Sequence, residues 1–364
     1  SVINSLQCNN VTAAIGGANP PTIEDVRNMV SFNFAAQNRA VTVNDYNSLI
    51  RTMPSQFGAP AKVAITEENN KIRIKMLSYD DSGKLTEIIS NTLKNNVANY
   101  LSNYRMINDY VSIESANVID LAINPNNKFE WYVAAANGGV WKTNNAGVSF
   151  SPIFDGQGVF SIGCLKMDPL NTNVLWVGSG ENNNQRSVGY GDGIYKTIDG
   201  GQTWQNMGLK NSEHIGMIAV DPVQTNTVYV AAYGPLWSAG GDRGIYKTTD
   251  GGKSWNRVLY VSENTGFNEV HIHPKYSNIL YATAHQRRRH EWTYVGGGPE
   301  SAIYKSEDYG QTWTKLQTGL PAGDVGRISL AVSTVETDWV YALIEAEGND
   351  GGLYASTNRG ASFE

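Results

Sequence analysis

From Lys84 to Tyr104 the apolar residues Leu85, Ile88, Ile89, Leu93, Val97 and Leu101 recur at helical spacing, which predicts one long amphipathic helix. Just upstream the period changes to two. Ala61 to Glu67 and Lys71 to Tyr79 alternate around Glu68-Asn69-Asn70, with Ile72, Ile74 and Met76 on one face and Lys71, Arg73 and Lys75 on the other. That pattern predicts a hairpin whose apolar face the helix covers. Two shorter helices are expected earlier. One starts at Pro20-Pro21-Thr22 with Asp25 in its first turn and carries Val26, Met29, Val30 and Phe34 on one face; the other starts at Thr42 with Asp45, runs through Tyr46, Leu49 and Ile50, and stops before Pro54. Tyr110 to Ile123 reads as one further strand. The fold class expected to about residue 120 is α+β, and it offers no histidine, no acidic pair in an apolar setting and no phosphate loop.

Past residue 120 the pattern is different. All nine tryptophans and all five histidines lie there, and of the 37 glycines only Gly16, Gly17, Gly58 and Gly83 precede it. Such a change of alphabet places a domain boundary near Asp120, giving domains 1–120 and 121–364. The second segment repeats itself. Trp141-Lys142-Thr143-Asn144-Asn145-Ala146-Gly147, Tyr195-Lys196-Thr197-Ile198-Asp199-Gly200-Gly201, Tyr246-Lys247-Thr248-Thr249-Asp250-Gly251-Gly252, Tyr304-Lys305-Ser306-Glu307-Asp308-Tyr309-Gly310 and Tyr354-Ala355-Ser356-Thr357-Asn358-Arg359-Gly360 are five copies of one phrase. Their Asn or Asp positions are 54, 51, 58 and 50 residues apart, and each copy ends in an aromatic: Phe150, Trp204, Trp255, Trp313, Phe363. A second phrase, such as Met167-Asp168-Pro169 or Val220-Asp221-Pro222, comes before each copy.

About fifty residues holding four short strands is a propeller blade. Asn145, Asp199, Asp250, Asp308 and Asn358 are then structural residues of a tight turn, and Gly201, Gly252 and Gly310 supply backbone conformations that a side chain would obstruct. The aromatic that follows is expected to pack into the blade core. The segment reads as all-β, an incomplete propeller of about five blades. Glu364 follows directly on the fifth turn, where a fourth strand is due, so the expectation is an open arc with an exposed blade edge.

In a four-stranded antiparallel blade the repeated turn joins the third and fourth strands. The opposite face of the disc receives the second-to-third loops and the blade connections. Three of those loops are long: Ser179 to Asp192, Tyr233 to Asp242 and His285 to Glu300. They bring Arg186, Tyr190, Trp237, Arg243, His285, Arg287, Arg289 and Trp292, and the blade connections add Glu213 and His214. Aromatic platforms beside guanidinium groups suit a polar ligand, a carbohydrate foremost or an acidic peptide. An enzyme on the same face would need an acidic pair drawn from Glu181, Asp192, Asp242 and Glu300, with carboxyl oxygens about 5–9.5 Å apart across one pocket. No metal or cofactor is expected, because His271 and His273 alternate within a strand and the other histidines lack a ligand partner at close spacing.

Two resemblances overlay this reading. Gly16-Gly17-Ala18, Thr22 to Arg27, Ala36 to Thr42 with Asp45-Tyr46, and Phe57 to Val63 recur in the order found in baseplate J-like wedge proteins of contractile-tailed phages. The resemblance covers residues 1–120 and implies a virion component that binds other baseplate subunits. Residues 120–364 resemble bacterial Asp-box propellers of the sortilin-like and glycoside-hydrolase-like group, which implies a secreted or cell-surface setting. In xyloglucanase-like propellers an Asp stands before the Gly-Gly of the first repeat. Here that place is held by Asn137, and an amide cannot act as a general base. Sialidases gather three arginines from separate blades, whereas Arg287, Arg288 and Arg289 share one loop. The run Val118 to Ile123 could belong to either segment, and the expectation is a join there of two unrelated coding sequences, with a natural tail-fibre-like fusion as the alternative.

Charge and ends narrow the field. A net charge of -6 gives no basic field for a phosphate backbone, so no nucleic-acid partner is expected. Cys8 and Cys164 are too far apart in sequence to suggest a disulfide framework or a metal site. No run of about 18 apolar residues suggests a membrane span, and Ser1 in place of Met suggests a fragment or a processed product.

Overall fold

A computed structural model describes residues 118–364 throughout; before them it describes 62–68, 71–79, 85–86, 89–105 and 110–115, with scattered positions between 40 and 60. The chain divides into two compact units, Ser1–Asn117 and Val118–Glu364. The helix expected after Pro20 lies outside the described residues.

In the first unit β1 (Lys62–Glu68) and β2 (Lys71–Tyr79) pair antiparallel with Val63 opposite Met76 and Ile65 opposite Ile74. The alternation acts as read: Ile72, Ile74 and Met76 are buried and Arg73 and Lys75 are half-buried. Around Thr42 a reciprocal cap forms, the Thr42 N–H donating to Asp45 Oδ2 at 2.8 Å and the Asp45 N–H to Thr42 Oγ1 at 3.3 Å, and Asp45, Tyr46, Leu49 and Ile50 are helical. The long helix starts later than its periodicity suggested. Leu85–Thr86 is a short strand, β3, on the edge of β2, and α1 covers only Asn91–Ser102. Ser90 sets that start, its Oγ accepting the Leu93 N–H at 3.1 Å, since a serine hydroxyl competes with helical backbone and favours the cap. Val97 and Leu101 of α1 pack with Ile72, Ile74, Met76, Tyr46 and Ile50 in one core. The run expected as a single strand from Tyr110 is two: β4 (Tyr110–Ser115) pairs parallel with β2, and β5 (Val118–Ile123) opens the second unit.

The second unit is a series of antiparallel blades, each a meander of four strands. The first is β5, β6 (Trp131–Ala135), β7 (Gly139–Thr143) and β8 (Ser151–Pro152); the second is β9 (Ile162–Met167), β10 (Leu175–Ser179), β11 (Ile194–Thr197) and β12 (Gln205–Gly208). The third is β13 (Ile215–Val220), β14 (Val228–Ala232), β15 (Gly244–Thr248) and β16 (Asn256–Leu259). The fourth is β17 (Thr265–Ile272), β18 (Leu280–Gln286), β21 (Ala302–Ser306) and β22 (Thr314–Lys315), with β19 (Arg288–Arg289) and β20 (Tyr294–Val295) forming a small hairpin inside its long loop. The fifth has β23 (Val325–Val332), β24 (Val340–Ala346) and β25 (Gly352–Ser356). Mutual backbone bonds of 2.9 and 3.0 Å between Ala355 and Glu364 begin a fourth strand.

The core of this unit lies between blades, not within them. Ala134 and Val140 of the first blade pack on Leu165 and Val177 of the second; Ile194 packs on Ile218 and Val230; Ala231 and Ile245 on Val270 and Ala282; Ile303 on Leu330 and Ala342. Where inner strands converge there is no room for a side chain. A Cβ on Gly216 would land on the Asn268 carbonyl of the next blade. Polar groups hold the same joints, the Leu165 N–H donating to Asp120 Oδ2 at 3.0 Å and the Leu330 N–H to Glu269 Oε2 at 2.7 Å.

The five repeated turns share one hydrogen-bond set. Thr197 Oγ1 donates to Asp199 Oδ1 at 2.7 Å and accepts the Gly201 N–H at 3.0 Å, and Asp199 in turn accepts the Thr203 N–H at 2.9 Å and its hydroxyl at 2.6 Å. Asn145 reproduces this with its amide donating to Ser149 Oγ at 2.8 Å. Asp250, Asp308 and Asn358 follow the same scheme with Ser254, Thr312 and Ser362. The aromatic that closes the turn does more than fill its own blade: Trp204 Nε1 donates to the Ile153 carbonyl at 2.7 Å and Trp255 Nε1 to the Met207 carbonyl at 2.8 Å, both in the preceding blade.

These bonds, led by those from the Thr203, Ser254 and Thr312 hydroxyls, hold the carboxyls of Asp199, Asp250 and Asp308 well below the usual range, Asp308 at about 2. A depressed folded pKa means stability present above the unfolded value of about 3.9 and lost as the pH falls through the folded one. Replacing all three by Asn, the residue the first and fifth blades already use, is expected to leave the fold intact at pH 7. It should flatten the loss of stability below about pH 4, read as urea midpoints between about pH 2 and 7.

Candidate functional site

The long loops, which join second to third strands, meet the blade connections on the face opposite the repeated turns. The loop between β10 and β11 crosses this face. Asn182 Nδ2 donates to the Gly163 and Gly216 carbonyls, at 2.9 and 3.0 Å, and the Asn182 carbonyl accepts from Arg327 Nη1 of β23 at 3.3 Å. Asn183 and Asn184 meet the loop of the fourth blade: Arg287 Nη1 donates to the Asn183 carbonyl at 3.2 Å and to Asn184 Oδ1 at 2.8 Å, and Arg289 Nε donates to the Asn184 carbonyl at 2.8 Å.

Arg287 is fully buried, its guanidinium 3.3 Å from the centre of the Tyr233 ring, and its Nε and Nη2 have no hydrogen-bond partner. Burial pushes its pKa down. Beside it the Tyr233 hydroxyl meets His285 Nδ1, while His285 Nε2 bonds the Gly296 carbonyl at 2.9 Å. A carbonyl only accepts, so Nε2 carries the proton and Nδ1 accepts from Tyr233. Burial, ahead of the Arg287 charge, brings His285 to about 4, so the ring is neutral near pH 7. His214, equally buried, is brought to about 3 by burial and then by the Arg287 charge, and its ring lies against Tyr190.

Arg243 serves its own loop. Its guanidinium donates to the carbonyls of Gly240 at 2.8 Å, Tyr233 at 2.9 Å, Ser238 at 2.8 Å and Pro235, and burial brings it to about 10. It therefore shapes the Tyr233 to Asp242 loop from within instead of facing solvent. Arg186, Tyr190 and Trp292 are exposed, Trp292 by 80% and stacked on His290; Trp237 is half-buried. Arg289 lies over Tyr294, 4.9 Å from its ring centre.

The four candidate acids sit in four separate local nets. Glu181 accepts from Asn137 Nδ2 at 2.8 Å on one oxygen and from the Gly189 N–H at 2.8 Å and Asn183 Nδ2 at 3.2 Å on the other. Asp192 accepts from the Tyr195 hydroxyl at 2.8 Å, and Asp242 accepts the Asn211 N–H at 3.0 Å. Glu300 accepts from the Ser262 hydroxyl at 2.5 Å and from that of Thr265. Glu213 differs from all four. It is half-buried at φ 59° and ψ -30°, a left-handed backbone uncommon for a side-chain-bearing residue, fixed there by the Gly191 N–H donating to its carbonyl at 2.7 Å. Burial raises its pKa against the opposing charges of Arg243 and Arg287. Arg327, Asn184 and Tyr233 escaped the sequence reading. A signal existed for Arg327, a charge within the otherwise apolar run Val325–Val332. Among the described residues no group of three His, Cys, Asp or Glu is placed to hold a metal, and no described helix is long and apolar enough to cross a membrane.

No family model matches the chain. It is 27% identical over 173 residues to the oligoxyloglucan-reducing end-specific xyloglucanase of Emericella nidulans, covering 42% of this chain and 19% of that protein. It is 25% identical over 211 residues to the xyloglucanase of Hypocrea jecorina, covering 57% of this chain and 22% of that one. The chain thus spans about a fifth of the length of these relatives. Among solved structures, the GH74 enzyme of Niastella koreensis superposes with a TM-score of 0.51 at 19% identity over 80% of this chain and 42% of its own, and an ancestral GH74 enzyme with 0.51 at 18% over 83% and 37%. The shared fold is a glycoside-hydrolase-like propeller.

Because Arg243 satisfies four carbonyls from a buried position, Arg243→Ala should cost about 3–5 kcal/mol by urea denaturation. Arg243→Lys should recover little of it, since an ammonium lacks the planar fork.

Proposed function

We propose that the second unit is a carbohydrate-binding propeller of the glycoside-hydrolase type, and that its long-loop face takes a xyloglucan-like chain. The similarity to two xyloglucanases at 25–27% identity carries this reading. The face supports it. Exposed Tyr190 and Trp292 are platforms for sugar rings, Arg186 lies on the same loop as Tyr190, and the buried set of Tyr233, Arg243, His285 and Arg287 fixes the loops that present them. Binding without turnover is favoured over hydrolysis, because Asn137 offers an amide and Glu181 has hydrogen bonds on both oxygens.

One observation favours a hydrolytic reading: Glu213, with its raised pKa and strained backbone beside two arginines, has the character of a general acid. The first unit, on the baseplate-like order of its motifs, we read as a module that works by protein contacts.

Calorimetry with xyloglucan oligosaccharides should detect binding, and Trp292→Ala should weaken it by about 1–3 kcal/mol with the fold unchanged. Absence of binding to xyloglucan overturns the proposal. Release of reducing ends that Glu213→Gln abolishes would move the reading to hydrolysis.

A further inference from the structure

A charge taken out of water needs an opposite charge beside it, and on the long-loop face two cations have none. Arg287 of the fourth blade and Arg327 of the fifth reach the same strip of the second-blade loop. Arg327 Nη1 donates to the Asn182 carbonyl at 3.3 Å, and Arg287 Nη1 to the carbonyl of Asn183, the next along the chain, at 3.2 Å. Each guanidinium keeps buried donors without a partner, Nε and Nη2 in Arg287 and Nε in Arg327. The two in Arg287 share one edge of the group, where a pair of parallel N–H bonds can grip a single anion side-on. Nη1 is taken up by Asn183 and Asn184 and one face of the group by the Tyr233 ring, so this edge is what is left. Among the described residues no ion pair joins either arginine to a carboxylate. Glu213, whose charge reaches Arg287, makes no ion pair with it, and burial raises the Glu213 pKa, which weakens it as a counter-ion. The blades hold the two guanidinium groups in place and supply no negative charge to match them.

We propose that a small inorganic anion, chloride in size and charge, binds between Arg287 and Arg327, held by Arg287 Nε and Nη2 and by Arg327 Nε. Burial selects the size. Arg287 is 0% exposed, which a monatomic ion tolerates; a carboxylate attached to a sugar or a peptide does not, since the rest of that molecule has to reach solvent. Desolvated donors with no internal acceptor are the groups for which such an ion gains most. Bound there, it ties the second-blade loop, the fourth-blade loop and β23 into one piece, and so fixes the backbone that presents Arg186 and Tyr190 on one side and Trp292 on the other.

The whole chain should melt at least about 3 °C higher in sodium chloride than in sodium gluconate of equal ionic strength, because an anion that binds only the folded chain stabilises it by mass action. Arg327→Gln, at a half-buried position, should remove at least half of that difference, and Arg287→Gln all of it. If Arg287→Gln does not fold, Arg327→Gln still decides. General salt effects on the surface act on wild type and variants alike and cancel in the comparison. In a crystal soaked in sodium bromide, anomalous scattering should place a bromide at the Nε and Nη2 edge of Arg287. A wild type that melts alike in both salts, a chloride effect that Arg327→Gln leaves whole, or water in place of bromide at that edge would each overturn the proposal.

Discussion

A blade cannot bury its own apolar faces. Four short strands make a sheet one layer thick, so every Leu, Ile and Val that alternates along it faces outward on one side or the other, and a second layer has to come from a neighbour. This constraint orders the second unit. It explains why its core divides into four layers that each straddle two blades, why glycines stand where inner strands converge, and why the repeated turn is built to be gripped from the next blade back. Lys142, Lys196 and Lys247 donate to the Gly200, Gly251 and Tyr309 carbonyls, at 3.3, 3.0 and 2.9 Å, while Lys196 lies over the Trp176 ring. The turn is thus both a local fold and a handle.

The two faces of the disc solve different problems. On the turn face every blade repeats one short-range scheme within seven residues, so the chain needs no distant partner to set it. On the loop face the bonds are long-range. Arg287 and Arg289 reach Asn183 and Asn184 about a hundred positions away in sequence, and Arg327 reaches Asn182. Burying a guanidinium with two unpartnered nitrogens is costly, and a cost of that kind is tolerated only where surrounding structure enforces it. The stacked blades supply that enforcement from beneath.

That division also governs what was legible. Short-range schemes leave a repeat in the sequence: the turns, their spacing and the blade count could be read from Asn145, Asp199, Asp250, Asp308 and Asn358. The Ser or Thr two positions before and four after each of these is equally repeated, and its part as hydroxyl partner shows only in the folded turn. The helix expected from Lys84 shows the limit of periodicity, since the apolar spacing continues through Ile89 but the Ser90 hydroxyl decides where α1 begins. The strand expected from Tyr110 to Ile123 failed for a related reason, as an apolar run does not say which sheet each half will join. On the loop face sequence located the residues and misjudged their posture. Arg243, Arg287 and His285 read as ligand-facing because charged residues in long loops usually are; burial turned them into fixtures.

The neutral state of His214 and His285 on the loop face follows from the same burial. His214 and His285 are held far below an ordinary histidine by loss of water and by the Arg287 charge, so protonating either would add a cation beside one that is already incompletely hydrogen-bonded. Folded values below the unfolded one of about 6.5 mean that their contribution is present above that pH and is drawn down as the pH falls toward 4 and 3. The carboxylates of the turn face begin to lose theirs only below about pH 4. As the pH falls, stability is therefore drawn down first by the buried imidazoles of the long-loop face, one of which, His214, lies against Tyr190, and only afterwards by the carboxylates of the turns.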